Sequence, residues 1–340
     1  MIVRNYTPFR TLLFDARDVA GREFGVFVMR GTFDLVPGAA LRPSPEQRAL
    51  VEVDVWHGAP NESSVYVESD LAPFKPRADI LVNAVAHAPE GRPLPEWAVR
   101  VQVGMLSKAL RVTGPRHWTR EGDGWTLSEP EPVAEVPLRY EHAFGGTWKT
   151  NWGGASLCKE NPVGVGHVGD ELPQGDAPIP APQIDSPEQP VTEVGKAYAP
   201  EGLGPIARSW QPRLARAGTF DEPWQRSRWP ELPEDFEFTF HNAAHPDLIY
   251  PDFLNGDEEV TLEGMTPEGA LRCYLPGYKL GLLLRHMDGS LAIAPVFLDT
   301  LFLDVPAGQA HLTWRAPVVK TKPIRVLEAR MAHPTGRSHG

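Results

Sequence analysis

Two cysteines, Cys158 and Cys273, are all the thiol chemistry that 340 residues offer, and no C-x-x-C spacing joins them. A secreted scaffold held by disulfides carries more, at shorter intervals, so two reduced thiols in a cytosolic protein are expected. Positive charge is also scarce: 33 Lys and Arg stand against 44 Asp and Glu, for a formal net charge of −11. A surface of that sign repels phosphate backbones, which argues against nucleic acid as a partner. No apolar run reaches the roughly 18 residues that a membrane-spanning helix needs. The best stretch, "YLPGYKLGLLLRHMDG", is interrupted by Pro276, Lys279 and Arg285. The opening "MIVRNYTPFRTLLF" lacks the apolar centre of a signal peptide. These absences predict a cytoplasmic chain with no membrane partner.

Motifs of known chemistry are missing as well. H-E-x-x-H is absent, and its nearest relative in spacing is His241 and His245 in "HNAAHPD", where Pro246 follows at once. Two metal ligands four apart need a helix, and this stretch follows a strand pattern. "WGGASLCK" lacks the strand–turn–helix setting of a nucleophile elbow, and "NPVGVGHVG" has neither the lysine nor the following helix of a phosphate loop. The run Asp257, Glu258, Glu259 reads as a solvated turn. No nucleophile, base and orienting group can be assembled, so no catalytic residue, metal or cofactor is expected.

What the chain does have is proline, 36 of 340 residues, together with 31 glycines. That share is roughly twice the usual 5% and favours strands joined by turns over a helical bundle. "EFGVFVMRGTFDLV" (23–36) is a strand with Gly31 as a bulge or kink, and "ALVEVDVWHG" alternates as a strand over 49–58. "DILVNAVAHA" and "WAVRVQVGM" read as antiparallel neighbours across a Pro/Gly-rich loop. "WTREGDGWTL" turns at Asp123-Gly124, and "KLGLLLRHM", Asp288-Gly289, "SLAIAPVFL" is the clearest hairpin. "DFEFTFHNAA", "EEVTLEGM" and "DTLFLDVPAGQAHLTWRAPV" add further strands. The predicted fold is mainly β: one or more antiparallel β-sandwiches with a long, Pro/Gly-rich but mostly ordered central insertion. The expected divisions are a β-rich half over 1–130, the irregular region over 131–235, a second β-rich half over 236–318 packed on the first, and a frayed tail over 319–340.

The central region loses all periodicity yet keeps Phe144, Trp148, Trp152 and Tyr198. A free linker would lack such side chains, so the region is expected to pack on the sheets. Its last part, "GPIARSWQPRLARAGTFDEPWQRSRWP" (204–230), holds Trp210, Trp224 and Trp229 with five arginines. Indole and guanidinium groups either fix an irregular loop by stacking and ion pairing or anchor a protein interface.

Taken in order, "APFKPRADILVNA", "KALRVTGPRHW", "VPLRYEHAFGG", "ENPVGVG", the 204–244 segment and "LNGDEEVTLEGMTPEG" resemble the DUF2169 family across about 6–314. The resemblance implies an association with bacterial type VI secretion. Members act there as adaptors or chaperones that help load effectors, PAAR-linked or similar, onto the VgrG spike. It also implies a partner-binding or loop-organising role for the motif residues. These are Phe74, Lys75, Pro76 and Asp79, then Arg116 and Trp118, then Arg139, Tyr140, Phe144, Gly145 and Gly146, and next Asn161 and Pro162. The central segment supplies Arg208, Trp210, Arg213, Gly218, Thr219, Asp221, Trp224 and Arg228, followed by Asn242, Asp257 and Glu258. The chain departs from the family pattern at His245-Pro246-Asp247-Leu248, where Asp-Gln is usual, and at Phe220, where Tyr is common. The resemblance carries over no catalytic residue. The expected function is a cytosolic adaptor that covers an apolar segment of its client by edge-strand pairing or in an aromatic groove. The rivals are a hydrolase acting on an envelope substrate, which would need a polar pocket near His142, His167, His241 or His245, and a carbohydrate- or ligand-binding sandwich with exposed tryptophan platforms.

Overall fold

The computed structural model describes residues 1–149, 154–169, 172 and 177–332, so Trp152 and the end of the tail, 333–340, lie outside the described residues. Three sheets make the frame. Their strands are β1 (Ile2–Asn5), β2 (Arg10–Arg17), β3 (Glu23–Asp34), β4 (Asp79–Asn83), β5 (Glu96–Val103), β6 (Leu106–Thr113), β7 (Ile184–Asp185), β8 (Glu259–Glu263), β9 (Ala270–Tyr274), β10 (Lys279–His286), β11 (Leu291–Ala294), β12 (Phe297–Asp304), β13 (Gln309–Val319) and β14 (Ile324–Ala332). The largest sheet runs β2-β3-β13-β12-β4, the second β7-β6-β5-β8-β9 and the third β1-β14-β10-β11. Most pairings are antiparallel, with β4 parallel to β12 and β1 parallel to β14. Each sheet takes strands from both ends of the chain, so the two β-rich halves share their sheets.

The alternation of β5, with Trp97, Val99, Val101 and Val103 pointing inward, is what a strand with one wet face requires. Those side chains join Phe27, Met29 and Leu312 of the first sheet and Leu282 and Leu327 of the third in one contiguous core. The central insertion and Trp118 of the preceding half form a second, smaller core with Phe144, Cys158, Val168, Ile179, Ala181, Val191 and Tyr198. This second core explains how a segment so rich in glycine and proline stays folded: its aromatic side chains bury one another.

Several expectations are corrected. At Gly31 the ladder to β13 runs without a bulge, Leu312 facing Gly31 and Thr313 facing Arg30. A β-carbon there would lie 2.8 Å from the Phe33 ring and 2.9 Å from Phe9, so the glycine makes room for that ring pair. Only Val55–Trp56 of the 49–58 stretch is a strand. Side chains take up backbone groups before it: Asp70 accepts from the Val51 N–H (2.8 Å) and Ser69 donates to the Glu52 carbonyl (2.9 Å). The two runs expected as neighbours part company, Val85–His87 pairing with Glu135–Pro137 while β5 pairs with β6 and β8. The Asp123 turn centres on Gly122-Asp123, one residue early. Residues 236–244 form no strand. Phe236, Phe238 and Phe240 gather around His241, and Phe238–His241 curls into a 3₁₀ turn. The tail does not fray from 319, because β14 seats Leu327 and Ala329 in the core between β1 and β10.

Candidate functional site: a seam between two cores

The "FKPRAD" motif ends in a charged cluster that the fold closes off from water. Asp79 on β4 is fully buried and accepts from Lys75 Nζ (2.7 Å), the Asn242 amide (2.9 Å) and the Ala243 N–H (2.9 Å). Lys75 also reaches Glu68 at 3.4 Å. Glu68 receives Arg213, whose guanidinium further donates to the Phe240 (2.6 Å) and Ile206 (2.7 Å) carbonyls. Arg208 comes within 3.5 Å of Glu68 and 3.6 Å of Asp54. Burial alone raises the Glu68 carboxyl, but Arg213, Lys75 and Arg208 outweigh it and hold the group down at about 2. The result is a clamp: Asp79 on β4 and Glu68, linked through Lys75, grip the 204–244 segment at Asn242 and at Arg213.

A second clamp holds the insertion's inner half. Asp185 on β7 receives Arg111 through both Nε (2.8 Å) and Nη2 (2.7 Å), Arg116 (3.2 Å) and the Val191 N–H (2.8 Å). Trp118 is buried and donates to the Thr192 carbonyl at 3.1 Å. The fully buried Asn161 amide bonds the carbonyls of Tyr140 (2.8 Å) and Phe144 (2.9 Å), fixing the turn between them. That close approach is why Gly145 and Gly146 are glycines, at φ 150° and 101°. A β-carbon would sit 2.2 Å from the Asn161 carbonyl oxygen at one and 2.4 Å from that of Gly164 at the other. Pro76 and Pro162 are half-buried beside these groups, and Arg139 is exposed at the start of the Tyr140 turn.

The Trp/Arg segment divides its labour. Trp210 is buried edge-on against Tyr140, ring centres 5.6 Å apart. Thr219 is tied to Asp235 through its N–H (2.9 Å) and hydroxyl (2.7 Å) just after Gly218, and Asp221 caps the short helix Glu222–Ser227 through the Trp224 N–H (2.9 Å). Trp224 donates to the Glu231 carbonyl (2.9 Å), and Arg228 to those of Val19 (2.7 Å) and Leu232 (2.9 Å). The lobe thus fixed leaves Phe220 and Trp229 exposed. Phe74 meets Phe238 edge-on at 5.8 Å. Glu258 closes its own loop on the N–H groups of Asn255 (2.6 Å) and Gly256 (2.8 Å), while Asp257 faces solvent.

Between the two cores lies a cleft of about 490 Å³. Tyr140 and Ile206 wall it from the main core, Phe144, Cys158 and Tyr198 from the small one, and Pro200, Pro212 and Pro246 line its sides. Separate stretches of chain contribute; of the family-motif residues only Tyr140 and Phe144 line it, together with Cys158, Tyr198, His167 and His245, which the sequence also singled out. Glu68, Asp185 and Ile206 were missed. A lone acid reads as solvated, and nothing local marks the isoleucine. Burial pushes the Cys158 thiol up, which keeps it protonated and a poor nucleophile.

The two histidines four apart do not converge. His241 faces the Glu68 clamp and is depressed to about 3, first by burial. His245 lies on the cleft wall beside Glu201 (3.7 Å) and Asp247 (3.4 Å), and burial and Lys108 depress it to about 4. Lys108 donates to both Glu201 (2.5 Å) and Asp247 (2.9 Å), so a protein ammonium already supplies the cation between these carboxylates. The site can therefore seat apolar groups and offers little to a metal.

No helix among the described residues is long and apolar enough to cross a membrane, which says nothing of strand-built spans. Searches of curated proteins and of solved structures each find no match to the chain. A family model described as an uncharacterized protein conserved in bacteria matches residues 20–315, most of the chain, including both clamps and every wall of the cleft. The chain belongs to the DUF2169 family.

Proposed function

We propose that the chain is a cytosolic adaptor that holds an apolar segment of a type VI secretion effector, PAAR-linked or similar, and helps deliver it to the VgrG spike. One observation carries this reading: a largely apolar cleft of about 490 Å³ at the seam between the two cores. Its size falls within the roughly 300–1,000 Å³ of clefts that enclose a ligand of a few side chains. Each apolar side chain seated there would contribute about 25 cal/mol per Å² removed from water. The clamps built on Asp79 and Asp185 fix the stretches that wall it, which lowers the ordering cost of binding. Ala199 lines the cleft and is itself exposed, so Ala199→Trp fills the space without disturbing a packed core. Co-purification with a tagged PAAR-linked effector of the same secretion system should be lost in Ala199→Trp at unchanged thermal stability. Retention of the complex would remove the reading.

A hydrolytic reading is favoured by one contact. The Ser156 hydroxyl lies 2.9 Å from His167 Nε2, and His167 is on the cleft wall. A nucleophilic serine paired with a base would be labelled by a fluorophosphonate probe, and labelling lost in Ser156→Ala would support this second reading.

A further inference from the structure

The third sheet ends in β11, whose sequence Leu-Ala-Ile-Ala holds neither a charge nor a proline. The other edge strands of the three larger sheets each carry a charged residue: Arg4 in β1, Arg10 in β2, Asp79 in β4, Asp185 in β7 and Arg272 in β9. Edges without such protection are templates for strand addition. β11 is also open to solvent. Leu291 is 59% and Ile293 78% exposed, and Ala292 between them is exposed too.

The backbone says which groups are available. The His286 N–H donates to the Ser290 carbonyl (2.9 Å), and the register then pairs Arg285 with Leu291, Leu284 with Ala292, Leu283 with Ile293 and Leu282 with Ala294. Bonding pairs alternate in an antiparallel ladder, so Ala292 and Ala294 turn their N–H and C=O toward β10. Leu291 and Ile293 turn theirs outward, two donors and two acceptors spaced for another extended chain.

Charge narrows the occupant. Along the outer face one row runs Arg4, Glu328, Leu283, Ile293, and the next runs Ile2, Val326, Arg285, Leu291. Glu328 is buried beneath Arg285 (2.8 Å) and Arg330 (2.8 Å), and Arg4 is exposed. Three guanidiniums against one carboxylate leave this face positive on a chain of net charge −11. A second copy is a poor fit, because a four-residue ladder spans only about 13 Å and would set two positive faces side by side.

We propose that β11 takes up an extended, apolar and acidic segment of a partner polypeptide as an added strand. The inference rests on the reading of the chain as a polypeptide binder, but it concerns a surface that shares no residue with the cleft. The probe is a fluorescein-labelled ten-residue peptide of alternating valine and glutamate. Its comparators are a valine/lysine peptide and a valine/glutamate peptide N-methylated at every second residue.

Fluorescence anisotropy should give saturable binding of the valine/glutamate peptide, at least about tenfold weaker binding of the lysine peptide, and none of the N-methylated one. Ile293→Pro removes an outward N–H where an edge proline is tolerated, and should weaken binding at least about tenfold with an unchanged circular dichroism spectrum. Ile293→Thr keeps that N–H and should weaken binding by only about threefold. Ala199→Trp should leave this binding intact, so failure at the cleft and failure at the edge are told apart. Equal binding of the N-methylated or lysine peptide, or indifference to Ile293→Pro, overturns the proposal. Self-association abolished by Ile293→Pro overturns it in favour of a second copy.

Discussion

Replacing Asp79 by asparagine keeps the shape of the side chain and removes its charge. Asp79 accepts three hydrogen bonds with no exposure to water, one from an ammonium that is itself buried. In Asp79→Asn the new amide nitrogen must face Lys75, the Ala243 N–H or the Asn242 amide, all of which are donors. Lys75 is left with Glu68 at 3.4 Å as its remaining anion. Breaking a buried pair from one side costs about 3–5 kcal/mol, and a buried donor left without a partner about 1–3 kcal/mol. Because these overlap, about 4 kcal/mol is expected for the variant. An unfolding entropy of about 2.1 cal/mol/K per residue gives about 0.7 kcal/mol/K for this chain, so the midpoint should fall by about 6 °C. Adding Lys75→Met removes the stranded ammonium and should recover about 1–2 kcal/mol, or about 2 °C. Thermal melts followed by tryptophan fluorescence measure both. A fall under about 2 °C for Asp79→Asn, or a double variant worse than the single, would refute the argument that the clamp is a closed charge network.

Three further outcomes follow from the same geometry. Glu68 is held near 2 in the fold against a usual value of 4.5, so its contribution is full above pH 4.5 and is lost as pH falls toward 2. The linkage amounts to about 3 kcal/mol, and Glu68→Gln should flatten the acid limb of stability against pH across that window. Gly146→Ala forces a β-carbon to 2.4 Å from a backbone oxygen at φ 101°, and should cost roughly 3 kcal/mol and open residues 140–149 and 154–166 to limited proteolysis. Trp210→Ala removes a core side chain and should cost about 3–5 kcal/mol, whereas Trp229→Ala, 68% exposed, should change stability by less than about 0.5 kcal/mol. Denaturant midpoints for the two tryptophan variants check this, and equal losses would contradict the division of labour in the segment.

Local pattern was enough for the strands whose partners are near in sequence. The β10–β11 hairpin around Asp288-Gly289 and the alternation of β5 could be read directly, because period and turn chemistry lie in one short window. The parallel pairing of β4 with β12 could not, since its partners are more than 200 residues apart, Asp79 facing Thr300. Phe236, Phe238 and Phe240 misled because a spacing of two serves a strand and a ring cluster equally well. The residue types of the 204–230 segment allowed either a loop fixed by aromatic and guanidinium contacts or an interface anchor. Their directions were hidden: Arg213 and Arg228 point into the protein, whereas Arg226 pairs with Glu222 on the surface. The cleft left no local trace, because its walls come from stretches separated in sequence, from Tyr140 to Pro246.

If the seam between the cores seats a partner's polypeptide, as proposed, binding must shield its walls. Amide hydrogen exchange of the chain alone and with a PAAR-linked effector fragment tests it most directly. Slowed exchange is expected over 197–200, 206–214 and 245–248. Slowing confined to other surfaces, or no slowing in a complex that demonstrably forms, would contradict it.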